Sequence, residues 1–74
     1  MNTAETFAVT FKAARTASDA VLDAVEEMNG AAEPMTLADA ANFCARHRCI
    51  ADLFRKGRRV GALCSDGSLS SPLA

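Results

Sequence analysis

The apolar residues change their period along the chain, and that change limits the fold more than any other feature. Phe7, Val9 and Phe11 recur at every second position, with Ala8, Thr10 and Lys12 around them, which is the alternation of a strand with one buried face. After Ser18 the spacing turns helical at Val21, Leu22, Val25 and Met28, and Asn29-Gly30 supplies a stop. Ser18 suits the helix N-cap, because a serine hydroxyl accepts from a backbone N–H two or three residues on. A linker from Gly30 to Met35, holding Pro34, then leads to Thr36 and Asp39, spaced as a capping box for a second helix. The apolar stripe of that helix is Leu37, Ala40, Ala41 and Cys44. Beyond Cys49, the runs Ile50 to Phe54 and Val60 to Cys64 read as two strands joined by a tight Lys56-Gly57 turn. A Ser65-Asp66-Gly67 turn follows, and the tail over 68–74 is expected to fray.

The sum is an α+β domain: two helices packed on a small three-stranded antiparallel sheet, in the order β-α-α-β-β, within one compact unit spanning 1–74. An all-α helical hairpin is the alternative. Phe7, Phe11, Ala14, Val21, Val25 and Met28 also fit a 4-3 spacing, and Ile50, Leu53 and Phe54 sit at i, i+3 and i+4 ahead of Gly57.

Size sets the next limit. Half of the 74 residues are hydrophobic, but sixteen of these are alanine, so four Phe and a modest set of Leu, Val, Ile and Met supply the buried volume. A chain of this length buries only about 60% of its unfolded surface. It has little room to enclose a substrate cavity, so a binding module is favoured over an enzyme. No apolar run approaches the roughly 18 residues that cross a bilayer, and Met1 to Glu5 lack the basic start of a signal peptide, which points to a cytoplasmic protein without a membrane partner. An odd set of three cysteines fits reduced thiols better than a disulfide framework.

Cys44, His47, Cys49 and Cys64 are the chain's soft-metal ligand types, with Cys44 and His47 one helical turn apart. Structural zinc sites present paired ligands on both sides of a loop, whereas Cys64 stands alone well past Cys49, so no metal or other cofactor is expected. Cys44 with His47 makes a poor thiolate–base pair, since their helix face reads as core, and no phosphate-binding loop or paired-carboxylate site is present.

Charge carries the functional signal. Up to Ala45, seven acids face only Lys12 and Arg15, for a balance of −5; from Arg46 onward, six cations outweigh Asp52 and Asp66, for +4. Two candidate surfaces follow. Asp19, Asp23 and Glu26 fall within about 60° on the first helix, with Glu27 beside them, and make an acidic ridge. Neighbouring carboxylates on such a ridge lie roughly 6 Å apart, comparable to successive backbone phosphates, so the ridge suits a Lys/Arg groove built for nucleic acid. Arg55, Lys56, Arg58 and Arg59 form a basic hairpin tip, next to Phe54, that suits a phosphate backbone. A pI near 5.7 and so few aromatics speak against nucleic acid as the main partner. Phe43 lies to one side of the second helix's stripe, placed either to complete the core or to project as an anchor.

The leading expectation is a non-catalytic protein-binding module, an inhibitor or regulator that docks on a larger nucleic-acid-handling protein or nucleoprotein complex as a monomer or weak homodimer. In size and in its lack of catalytic motifs the chain is similar to the small inhibitors carried by phages and other mobile elements, including those that disarm CRISPR effectors; the resemblance is one of type. The alternative is a small nucleic-acid-binding module that uses the basic tip.

Overall fold

A computed structural model describes residues 5–70, 72 and 73. Among them the chain runs β1 (Thr6–Lys12), α1 (Asp19–Ala31), β2 (Met35–Thr36), α2 (Leu37–His47), β3 (Ile50–Arg55) and β4 (Arg58–Leu63). The α+β class therefore holds and the helical hairpin does not: β1, which the 4-3 spacing offered as helix, pairs with β3 over Ala8 to Lys12.

The expectation of three strands is corrected to four. The sheet order is β2-β1-β3-β4, every pair antiparallel. The added strand is two residues long, pairing Met35 with Phe7 and Thr36 with Thr6. It is too short to show alternation. Thr36 ends it and at once caps α2, its Oγ1 accepting from the Asp39 N–H at 3.2 Å.

The period-two reading of β1 places the core. Phe7 and Phe11 are buried while Thr6, Ala8, Thr10 and Lys12 are exposed, and their partners in β3 repeat the pattern with Ala51 and Leu53 buried. Val25 of α1 and Ala40 and Cys44 of α2 close the same cluster, so both helices cover one face of the sheet and leave the other bare. Leu53 has no exposed surface, and its truncation to Ala is expected to cost about 2–5 kcal/mol.

Helix α1 begins as expected, with Ser18 Oγ accepting from the Val21 N–H, but runs past Asn29-Gly30 to a left-handed cap at Ala32. Asn29 is spent elsewhere. Its side-chain amide donates to the Phe11 carbonyl at 2.9 Å and accepts from the Phe11 N–H at 2.8 Å, pairing backbone groups of β1 as a neighbouring strand would. Leu22 was expected on the buried stripe and is instead 45% exposed, because it lies at the stripe's edge, about 60° from Val25.

The β3–β4 connection is the two-residue turn expected, with Lys56 (φ 53°) and Gly57 (φ 77°) both left-handed, the conformation that matches strand twist. Further along, Leu53 faces Gly61 and Phe54 faces Arg59, leaving Val60 as the extra residue of a bulge. The bulge turns Val60 and Gly61 both inward. Residues 71 and 74 of the tail lie outside the described residues. In the rest of it Leu69 bridges Leu63, the Ser70 N–H donates to the Ala62 carbonyl, and Leu73 packs against the core below Gly61. Gly61 is needed there, since a Cβ would stand 2.7 Å from Leu73 Cδ2.

Candidate functional site

The acidic ridge is built by the amphipathic character of α1. Val21, Val25 and Met28 turn inward, so Asp19, Asp23, Glu26 and Glu27 are left exposed on the far side. Among the described residues none of the four joins an ion pair. The exposed Leu22 stands on the flank of the ridge, and beside it an open groove is lined by Phe11, Leu22 and Val25 together with Lys12, Glu26 and Asn29. The sequence reading missed this apolar margin by assigning Leu22 to the core. The ridge is thus a charged strip with an apolar border.

The basic tip is organised differently. Arg55 lies on the core-facing side, its Nε donating to Glu5 Oε2 at 2.7 Å while its guanidinium carbon sits 5.4 Å from the centre of the Phe7 ring. Arg59 lies on the bare face, where Nε and Nη2 both reach Asp52 Oδ1 at 2.9 Å. Two of the four expected cations are therefore tied to carboxylates of the same molecule. Lys56 is held at the turn, and Arg58 lines a groove with Arg55, Lys56 and Val60.

Of the cysteines and His47, Cys44 and Cys49 are neighbours in the core, whereas His47 packs beside Phe43. Cys44 and Cys49 are both buried, and the Cys49 N–H closes the end of α2 on the Cys44 carbonyl at 3.2 Å. Burial, and then the neighbouring Cys49, push the Cys44 thiol up to about 12, and burial raises Cys49 as well. These thiols are core-filling groups, opposite in character to an activated nucleophile. The His47 ring lies 4.5 Å from that of Phe43, which in turn lies 4.4 Å from Phe11, so Phe43 joins the core side of α2. Among the described residues no group of three or more His, Cys, Asp and Glu side chains is placed to hold a metal ion.

A second cationic cluster was not picked out from the sequence. Lys12 at the end of β1, Arg15 in the turn that follows and Arg48 at the cap of α2 line one groove with Ile50 and Ser65. Their sequence separation hid them, since the fold alone brings the three segments together.

No helix among the described residues is long and apolar enough to cross a membrane. Comparison of the chain with protein-family models, curated proteins and solved structures finds no match.

Proposed function

We propose that this protein is a non-catalytic binding module that docks through the ridge of α1 onto a basic surface of a larger nucleic-acid-handling protein or complex, and acts there as an inhibitor or regulator of the kind mobile elements carry. One observation carries the reading: Asp19, Asp23, Glu26 and Glu27 are exposed, unpaired among the described residues, and bordered by the exposed Leu22. The fold spends carboxylates on arginines at Glu5 and Asp52, yet leaves this row uncompensated. An uncompensated row of like charge lowers stability slightly and speeds encounter with a surface of opposite sign, which is the balance of a binding face. Leu22 supplies the desolvated contact that charge alone lacks. The free thiols at Cys44, Cys49 and Cys64 support a cytoplasmic, reducing location.

The test is a pull-down from host lysate after nuclease digestion, comparing the native protein with a variant carrying Asp19→Asn, Asp23→Asn, Glu26→Gln and Glu27→Gln. A nucleic-acid-handling protein retained by the native chain and lost by the variant supports the docking face. Equal retention by both would remove it.

A further inference from the structure

We infer that the face opposite the helices holds a single strand of nucleic acid, anchored by phosphate contacts at the groove of Lys12, Arg15 and Arg48. This goes beyond the ridge, which is proposed to address a protein, and rests on a separate cluster, of whose cations Lys12 alone also lines the groove beside the ridge, with a ligand of opposite charge.

The anchor is assembled from three segments. Lys12 ends β1, Arg15 sits in the turn closed by the Ala17 N–H and the Ala14 carbonyl, and Arg48 caps α2. All three are exposed and line one groove of about 390 Å³ together with Ser65. Among the described residues none of the three joins an ion pair. Asp66 lines a neighbouring groove with Arg48, but the N–H and hydroxyl of Ser68 hold its Oδ1 at 2.9 and 2.6 Å and it forms no ion pair with Arg48. Arg48 also occupies a left-handed backbone position (φ 53°) where glycine is the favoured residue. The chain thus keeps a cation at a cap that a smaller residue would serve better.

The groove opens onto the bare sheet face through Ile50, which lines it and is 48% exposed. Four residues along β3, Phe54 lies half-buried on that same face, about 13 Å away, which is two nucleotide steps. Asp52 stands between them with its charge countered by Arg59. Phosphates in the groove would leave the following bases over Ile50 and Phe54, with the neutralised Asp52–Arg59 pair between them, an aromatic side chain on a sheet being a stacking platform for single strands. A duplex fits less well: both helices lie on the opposite face, so neither can enter a major groove, and Glu26 lies across Lys12 in the next groove, where a second strand's phosphates would meet it.

The experiment is fluorescence anisotropy of the full chain with a labelled twelve-nucleotide single strand, the corresponding duplex and, as competitors, inorganic phosphate and a nucleoside monophosphate. The expected result is single-strand binding with a log–log salt slope near −2, as about three released counterions give at ~0.7 each. Lys12→Ala with Arg15→Ala is expected to lower affinity at least tenfold and to flatten the slope by about 1.4. Arg48→Gly separates charge from folding, because it is expected to weaken binding several-fold while the melting temperature stays level or rises. Phe54→Ala is expected to weaken binding with no change in slope. Tighter binding of the duplex, an unchanged slope in the Lys12/Arg15 variant, or full displacement of the strand by an equal concentration of phosphate or the monophosphate would each overturn the assignment, as would absence of single-strand binding at low salt.

Discussion

Helix α1 and the β3–β4 hairpin each carry four charges of one sign, and the fold treats them in opposite ways. At the hairpin, Arg55 is bound to Glu5 and rests against Phe7, and Arg59 is bound to Asp52, so half of the basic set works within the molecule. On α1 no carboxylate of the ridge is so engaged among the described residues. Like-sign residues counted in a sequence therefore overstate the net charge that the hairpin presents relative to the helix. The docking proposed for the ridge rests on charge that no internal partner offsets among the described residues.

Substitutions at the two regions are expected to split along that line. Arg55→Ala removes a half-exposed ion pair and the cation covering Phe7, and is expected to cost about 1–2 kcal/mol in denaturant unfolding. Neutralising Asp19, Asp23 and Glu26 should change stability by no more than about 0.5 kcal/mol per site, the range of exposed positions away from special contacts. If neutralising a single ridge carboxylate destabilises the chain as much as Arg55→Ala does, the contrast between internally paired and unpaired charge fails.

The core beneath both regions responds to alkali. The Cys44 thiol titrates at about 12 in the folded chain against an ordinary value of 9.0. A folded value raised above the unfolded one contributes stability that is fully present below about pH 9 and is lost as pH rises toward 12. Unfolding free energy should accordingly fall by up to about 1.4 kcal/mol per pH unit across that window. Cys44→Ala, although less stable at neutral pH, should show a flatter fall. Equal slopes would place the alkaline sensitivity elsewhere.

A smaller effect sharpens the comparison on the helix side. Gly30 lies within α1, and a Cβ there would meet nothing within 4 Å. Gly30→Ala is expected to raise stability by about 0.5–1 kcal/mol with partner binding unchanged or improved, because the ridge is held on a firmer helix. Thermal unfolding checks the first part. Loss of binding would mean that the partner needs the backbone at Gly30 itself.

Much of this fold was legible in the sequence where a local rule and the tertiary structure agree. The alternation of Phe7, Val9 and Phe11, the Ser18 and Thr36 caps, and the Lys56-Gly57 turn each express one physical requirement within a few residues. What was not legible depends on contacts between distant segments. Strand β2 exists because Met35 and Thr36 find Phe7 and Thr6, not because two residues carry a pattern. Asn29 reads as a helix stop yet serves β1, and helix α1 continues to Ala31 without it. Of the surfaces, the ridge was visible because it lies on one helix at fixed angular spacing. The division of the hairpin's cations between Glu5, Asp52 and solvent, and the meeting of Lys12, Arg15 and Arg48, required the fold.

The most direct test of the docking account is competition on the captured partner. Nucleic-acid binding by that partner is measured with increasing amounts of this protein, in a Lys12→Ala, Arg15→Ala background that removes the proposed strand site. The account predicts that nucleic acid is displaced, and that displacement disappears when Asp19, Asp23, Glu26 and Glu27 are neutralised. A partner that holds nucleic acid and this protein together with undiminished affinity, or that is displaced equally well by the neutralised variant, would contradict it.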